Sequence, residues 1–226
     1  MINIFKNLSL IIIISTCLYL GLWQMDRAEE KIKIQNDFIE QVSKDYINVQ
    51  SIDDNPVRYT RIYSNGKFLE PYFLLDNIVF NRKAGYSVIS PFLLNNKILL
   101  VNRGWVENYS RQKFPLIETP SKSILIKGYI KYPMKLLELS DSNITENKPY
   151  VIQNLDIDQI SKILNRDVYS FILTLDKGSK YSYQFITEKN ENKHFKHYMY
   201  AGQWFLFTII GIVFLVLLNR KKNGKN

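Results

Sequence analysis

Two uncharged apolar stretches stand out along the chain, and a region of changing periodicity separates them. The first is Leu8–Met25 and the second is Ala201–Leu218. A helix that crosses a bilayer needs about 20 largely apolar residues, and each stretch reaches that length with its flanks. The pattern therefore predicts two transmembrane helices. A cleaved signal peptide is the alternative for the first stretch, but the apolar run continues beyond Cys17, which favours a retained anchor.

Helical periodicity appears twice between the two apolar stretches. Asp26–Val42 directly follows the first stretch and has apolar residues four positions apart. This spacing predicts a helix that continues out of the membrane. A second, short helix is predicted at Leu155–Leu164, where Asp156 is a suitable N-cap for an apolar face.

The remaining segments are rich in β-branched and aromatic residues, which predicts strands. The predicted strands are Arg58–Tyr63, Tyr72–Phe80, Tyr86–Leu94, Lys97–Val106, Ser123–Lys131 and Val168–Leu175. Asparagine-containing turns are predicted at Ser64-Asn65-Gly66, as a tight hairpin, and at Asn95-Asn96. A polar linker at Glu188–Lys196 leads into the second apolar stretch. The fold class is therefore an α+β membrane protein, in which two transmembrane helices flank one mainly antiparallel, barrel-like or sandwich-like β domain with a short helix.

The formal charge of +9 first suggests a nucleic-acid partner, but the distribution of that charge argues against one. No acidic residue precedes Asp26 or follows Glu191, whereas five basic residues lie outside positions 26–197. The central region holds 25 basic against 21 acidic residues and is close to neutral. Because basic residues that flank apolar helices are typical of membrane proteins, the expected partner is a lipid bilayer and not nucleic acid.

The basic cluster after the second apolar stretch predicts the orientation of the chain. Its members are Arg220, Lys221, Lys222 and Lys225. The positive-inside rule places this tail in the cytoplasm, and two spans place the N-terminus there as well. The predicted organisation is a transmembrane anchor at 1–25, a periplasmic β-rich domain at 26–197, a second transmembrane helix at 198–219 and a basic cytoplasmic tail at 220–226. A bacterial inner membrane is the expected compartment.

Motifs of soluble enzymes are absent from the sequence, which contains no P-loop, GxGxxG, GxSxG or HExxH. One cysteine excludes a disulfide framework and any multi-cysteine metal site. The two histidines, His194 and His197, leave little room for a site built from several imidazoles. The carboxylates are scattered and are interpreted as surface charges. A non-enzymatic role without catalytic residues is therefore expected.

Polar and aromatic residues lie at the predicted membrane boundary on both helices. Gln24, Arg27 and Lys31 share one helix face at three- and four-residue spacing, and so do His197, Tyr200, Ala201 and Trp204. Since both motifs lie at the same outer membrane surface, we expect His197 and Gln24 to lie opposite each other, with Trp204 one to two turns deeper. An aromatic belt with polar anchors is the alternative interpretation. An imidazole is also a ligand for haem iron, and a nearby cation pairs with propionates.

Four motifs then carry a resemblance to a known family. Leu20-Gly21-x-Trp23-Gln24-x-x-Arg27 with Lys31, and His197-x-x-Tyr200-Ala201-x-x-Trp204-Phe205, are similar to the opening and closing signatures of the surfeit locus protein 1 family of cytochrome c oxidase assembly factors. Gly85-Tyr86-Ser87-Val88-Ile89-Ser90-Pro91 and Val101-Asn102-Arg103-Gly104-Trp105-Val106 resemble its two central motifs. Glu107 replaces the usual proline after the second, and Ser87 stands where many members have histidine.

The resemblance implies an assembly factor that binds or helps to insert haem a into the catalytic subunit of a haem–copper oxidase. It makes His197 the candidate iron ligand, Tyr200 and Trp204 its neighbours, and Gln24 and Arg27 its partners from the first helix. A second hypothesis is a membrane scaffold that stabilises the nascent oxidase subunit or docks haem a synthase and never ligates haem. Only the first hypothesis requires a ligand-bearing helix face.

Residues of the central motifs are interpreted as structural. Asn102-Arg103-Gly104 resembles a strand end and turn, in which glycine supplies a backbone conformation that other residues disfavour. An interaction of Arg103 with a propionate is the alternative. We predict that adjacent strands pack one β core, which contains Trp105, Val101, Leu99 and Val88.

Overall fold

The structure is a computed structural model that describes residues 2–53, 55–108, 113–133, 149–186 and 193–223. Its helices are α1 (Ile2–Ser43), α2 (Ile157–Leu164) and α3 (Lys193–Asn223). Its strands are β1 (Ile47–Asn48), β2 (Arg61–Phe68), β3 (Phe73–Phe80), β4 (Lys83–Leu94), β5 (Lys97–Glu107), β6 (Ile124–Lys131), β7 (Tyr150–Ile152) and β8 (Val168–Leu175). The chain divides into two compact units, one of Met1–Asp37 with Glu188–Asn226 and one of Phe38–Thr187.

The second unit is built around a closed barrel of five strands. Around the ring, β2 pairs with β6, β6 with β8, β8 with β5 and β5 with β4, and only the pair of β8 and β5 is parallel. The ring closes where β4 returns to β2, through the pairs Lys67–Leu93 and Phe68–Phe92. Closure leaves these strands without an open edge, which removes a template for unwanted strand pairing. The expectation of a mainly antiparallel, barrel-like domain is confirmed.

Three strands extend the sheet outside the ring. β1 adds to β2 in parallel, β3 pairs antiparallel with the first half of β4, and β7 adds to β3 in parallel. The first half of β4 therefore pairs with β3, whereas its last residues pair with β2. One long strand thus belongs to the ring and to its extension.

Buried apolar residues form three clusters, so the expectation of a single β core is wrong. Leu99 and Val101 of β5 belong to a first cluster with β2, β6 and β8, whereas Ile98 and Leu100 belong to a second cluster that α2 covers. Val88 belongs to a third cluster, whose other buried members are Leu74, Tyr86 and Ile117. The physical reason is that successive residues of a strand point to opposite faces, and here both faces of β4 and β5 are covered.

The hairpin predicted at Ser64-Asn65-Gly66 does not form, because β2 runs straight through these residues. A Cβ atom at Gly66 would collide with the carbonyl oxygen of Leu93 and with the ring of Phe92. This glycine therefore allows the close approach of β2 and β4 at the closure of the barrel, a role that glycine also has within strands. The turn predicted at Asn95-Asn96 is confirmed, with Asn95 in the left-handed region at φ 50°.

The segment Asn102-Arg103-Gly104 is a bulge within β5 and not the expected strand end. The register with β4 shifts between Trp105 and Asn102, and the strand then continues to Glu107. Gly104 has φ 106°, and its amide donates to the Asn102 side chain at 2.9 Å. Glycine is favoured here because other residues rarely adopt this backbone conformation.

The helices largely follow their sequence signals. Asp156 caps α2 by accepting hydrogen bonds from the amides of Asp158 and Gln159, as the pattern predicts. Asp26–Val42 lies within α1, which confirms the helix that continues from the first apolar stretch. The linker predicted at Glu188–Lys196 is wrong for Lys193–Lys196, which are helical, and positions 188–192 lie outside the described residues.

Candidate functional site

The first unit contains α1 up to Asp37 together with α3, and the two helices run antiparallel. Their cross-helix contacts join Ile14 with Gly211, Gly21 with Phe205, Gln24 with His197 and Asn7 with Asn219. The Asn7 and Asn219 side chains are hydrogen-bonded at 3.1 Å. The interface between the two helices, called the seam below, is thus apolar in the middle and has a polar pair near each end. A polar pair within such an interface fixes the register of the two helices.

Small residues bring the two helices close together. The less exposed positions of α1 recur three and four residues apart and include Cys17, Gly21 and Ala28. The matching positions of α3 include Ala201 and Thr208. Such spacing is typical of a left-handed helix pair, and small residues at a membrane helix interface allow the backbones to approach. Apart from this seam the helices expose large apolar side chains.

The close approach at Gly21 gives a direct test of the seam. A Cβ at Gly21 would lie 2.5 Å from a ring atom of Phe205, whereas a Cβ at Gly202 would meet no atom within 4 Å. Gly21→Val is therefore expected to weaken helix pairing by about 1–3 kcal/mol, the usual cost of overpacking, and Gly202→Val is not. Disulfide formation between cysteines placed at Asn7 and Asn219, in a Cys17→Ala background, measures the pairing. Equal cross-linking yields for the two valine variants would show that the close approach at Gly21 does not determine helix pairing.

Both apolar helices have the properties of membrane spans. The helical segments Phe5–Ser43 and His194–Arg220 are long and apolar enough to cross a bilayer. Only 11% of the most apolar part of each is buried within the protein. A core helix of a soluble protein is mostly buried, so the exposure of these apolar faces is compatible with membrane anchoring.

His197 and Gln24 lie opposite each other where the seam becomes polar, as the sequence predicts. His197 Nδ1 and Gln24 Oε1 are 2.7 Å apart, and both side chains are half-buried. The His197 Nε2 atom makes no hydrogen bond to any described residue. Buried Ala28 and Gly21 lie one turn to either side of Gln24 on α1. The pair therefore forms a polar contact within a closely packed part of the seam.

The other predicted site residues lie farther from this contact. Trp204 is half-buried two turns deeper along α3, as expected, and its ring meets the edge of Phe207. Tyr200 is 52% exposed. Arg27 is exposed, pairs with Glu30 at 2.7 Å and lies 5.6 Å from the centre of the Trp23 ring. The structure therefore brings Gln24 and His197 together and leaves Tyr200 and Arg27 on outer faces.

A second imidazole shares the face of α3 that carries His197, and the sequence interpretation gave it no role. His194 lies three residues before His197, and its ring meets the edge of the Tyr198 ring. Its buried Nδ1 atom has no hydrogen-bond partner in the described part of the chain. The signal for this residue was its three-residue spacing from His197, which places both on the same side of a helix.

Trp105 and Gly85 form one packed contact in the β domain. Trp105 is 3% exposed, and its Nε1 donates to the carbonyl of Ile78 at 3.1 Å. A Cβ at Gly85 would collide with the Trp105 indole ring and with a backbone oxygen of β5. Gly85 therefore leaves the space that the indole ring occupies against β4.

Arg103 is also inside the β domain. Its guanidinium donates to the carbonyls of Tyr181 and Glu118, at 3.0 and 2.8 Å. It lies between the rings of Phe68 and Tyr183, 4.8 and 5.0 Å from their centres. Burial lowers the pKa of this guanidinium below its ordinary value. These contacts connect β5 to two loops and support the structural interpretation.

Comparison with known proteins gives a family match that spans the β domain and reaches into both apolar helices. A family model described as the SURF1 family matches residues 11–209. The chain belongs to the SURF1 family. This confirms the resemblance to the surfeit locus protein 1 family, which is linked to cytochrome oxidase assembly.

Curated SURF1-family relatives match over nearly the whole chain. A SURF1-like protein from Rickettsia prowazekii is 26% identical over 214 residues, which cover 90% of this chain and 85% of the relative. A SURF1-like protein from Rickettsia conorii is 25% identical over 224 residues, which cover 95% and 91%. The similarity thus includes both apolar helices and the β domain.

Among the described residues, no group of three or more histidine, cysteine and acidic side chains is placed to hold a metal ion. The two imidazoles of the described chain, His194 and His197, both lie on α3. A haem iron needs only one or two protein ligands, because the macrocycle supplies four. In the Gln24–His197 contact, the hydrogen bond occupies one ring nitrogen of His197.

Proposed function

We propose that this SURF1-family chain is a membrane-anchored assembly factor that holds haem a at His197 and helps to insert it into the catalytic subunit of a haem–copper oxidase. The observation that carries the proposal is the half-buried imidazole whose Nδ1 is bonded to Gln24 and whose Nε2 is free of hydrogen bonds to the described residues. An imidazole with one nitrogen oriented and the other available is the usual protein ligand of haem iron.

The surroundings of His197 suit a large, mainly apolar cargo. Tyr200 and Trp204 lie on the same helix and offer exposed or half-exposed aromatic surface for a macrocycle. Arg27 offers a guanidinium for a propionate. Its pair with Glu30 is exposed, and exposed ion pairs contribute only about 0–1 kcal/mol, so a second carboxylate can share the guanidinium at little cost.

We propose a bacterial inner membrane as the location, with the β domain in the periplasm and both termini in the cytoplasm. Support comes from the two exposed apolar helices and from the basic cluster that begins at Arg220. Basic residues on the cytoplasmic side of a span favour this orientation. The partners in this proposal are the lipid bilayer, the oxidase catalytic subunit and haem a synthase.

A scaffold that binds the nascent subunit without haem is the second candidate. The observation that favours it is the exposure of Met199 and Tyr200 on α3, which gives another transmembrane helix an apolar surface to pack against. This surface needs no ligand. The two candidates therefore differ in whether His197 contacts iron.

Haem content distinguishes the candidates. Protein purified from a host that makes haem a is expected to carry haem absorbance, and His197→Ala is expected to abolish or alter it at unchanged protein abundance, because the ligand nitrogen is lost. His194→Ala is the matched control, and it should leave the spectrum unchanged. Arg27→Ala should weaken haem retention without changing the spectrum. A His197→Ala protein with an unchanged haem spectrum, or a wild type that never carries haem, would favour the scaffold.

A further inference from the structure

We infer that Gln24 is a positioning residue that fixes the ring orientation and tautomer of His197, so that Nε2 carries the free lone pair. The inference rests on the proposed function and deepens it. Gln24 then does not contact the cargo itself. Its role is to act on the residue that does, through the contact between its Oε1 and the His197 Nδ1.

The chemistry of the two atoms determines the direction of the hydrogen bond. The atom of Gln24 that faces the ring is its carbonyl oxygen, at 2.7 Å from Nδ1. A carbonyl oxygen only accepts, so Nδ1 must donate and must carry the hydrogen. A neutral imidazole has a single N–H, and Nε2 is therefore the nitrogen with the lone pair. Ligation of a metal requires this unprotonated nitrogen.

Packing keeps Gln24 at this place. The Gly21 and Phe205 contact lies about one turn deeper along the seam, and Ala28 is fully buried about one turn outward. The close approach at Gly21 holds the backbone near Gln24 close to α3, so the Gln24 side chain stays within reach of the His197 ring. A ring that is held by a packed neighbour loses less freedom when it binds a ligand, which favours binding.

The neutrality of the Gln24 amide matters as well as its shape. A carboxylate beside a ligating histidine raises the basicity of the ligand and strengthens its bond to the metal. An amide orients the ring without adding a negative charge. Glu30 is close enough to interact electrostatically with His197, but it is hydrogen-bonded to Arg27, and Lys31 also acts on it. The ring is thus oriented by a neutral group, which suits a ligand that must release its cargo to the oxidase.

The tautomer of His197 can be measured in the full-length protein without any haem. The probe is the pair of ¹⁵N chemical shifts of the His197 ring, recorded in lipid nanodiscs at a pH well above the ordinary histidine pKa of about 6.5. We expect wild type to have hydrogen on Nδ1. Gln24→Leu removes the acceptor at similar size and should move the hydrogen to Nε2, the tautomer that a neutral histidine side chain prefers in water. Gln24→Glu keeps the acceptor and should retain hydrogen on Nδ1.

Gln203→Leu is the matched control for these variants. Gln203 is exposed on α3, and its side chain has no hydrogen bond to the residues that the structure describes, so the same chemical change there should leave the His197 shifts unchanged. In haem retention, Gln24→Leu should weaken binding by about 10-fold or more, as loss of an orienting partner usually does. Gln24→Glu should retain haem at least as well as wild type.

The two readouts separate this inference from the proposed function. Identical His197 shifts in wild type and Gln24→Leu would overturn the inference, whatever the haem content. A changed tautomer with unchanged haem retention would overturn it too, because orientation would then not serve binding. A wild type that carries no haem but switches tautomer in Gln24→Leu would overturn the proposed haem role and support the orientation of His197 by Gln24.

Discussion

Trp105→Ala is expected to lower the free energy of unfolding of the β domain by about 3–5 kcal/mol. The indole is almost fully buried, contacts Phe80 with ring centres 5.5 Å apart, and fills the space above Gly85. Alanine would leave a cavity there. It would also leave the Ile78 carbonyl without the donor that it has in the native protein, which adds to the cost.

Denaturant unfolding followed by far-ultraviolet circular dichroism measures this loss without relying on tryptophan fluorescence. Val79→Ala is a suitable control, because Val79 is 68% exposed and its truncation should change stability by about 0.5 kcal/mol or less. If Trp105→Ala accumulates normally and unfolds like wild type but oxidase assembly fails, Trp105 is a binding residue and its structural assignment is wrong.

Arg103→Met is expected to lower the stability of the same domain by about 2–4 kcal/mol. The variant leaves the carbonyls of Tyr181 and Glu118 without their donor, and each buried unpaired polar group costs about 1–3 kcal/mol. It also removes the cation from between the rings of Phe68 and Tyr183. The apolar volume of methionine recovers part of this loss.

Arg103→Lys tests the geometry separately from the charge. Lysine keeps the positive charge but lacks the planar fork that reaches two carbonyls and stacks between two rings, so it should remain less stable than wild type. Arg166→Met is the control on an exposed arginine and should be nearly neutral. Wild-type stability in Arg103→Met combined with loss of haem would instead assign Arg103 to propionate binding.

The sequence determined the helices because their signals are local. The two spans follow from uninterrupted apolar length, and the cap of α2 follows from Asp156 immediately before an apolar face. The contact between Gln24 and His197 was also predictable. The common depth of the two residues needed only helical rise and two motifs that lie at the same membrane surface.

Which face of each helix turns toward its partner was decided by packing. Gln24 and Arg27 are three residues apart, which places them only about 60° apart around a helix, so periodicity assigns them to one face. The structure directs Gln24 into the seam and leaves Arg27 outside with Glu30. Gly21 and Ala28 lie on the buried side of α1, and the lack of a side chain at Gly21 lets Phe205 of α3 approach closely.

The β domain shows the same division between local and tertiary information. The composition of six strands, β2 to β6 and β8, predicted their existence, whereas the short strands β1 and β7 were not predicted. Asn95-Asn96 predicted one turn. Ser64-Asn65-Gly66 carries an equally good turn signal, but its glycine serves the closure of the barrel against Phe92. Closure joins strands that are distant in sequence, and coverage of β4 and β5 on both faces depends on α2 and the barrel interior. Neighbours in sequence carry no information about such contacts, so only the tertiary structure could decide them.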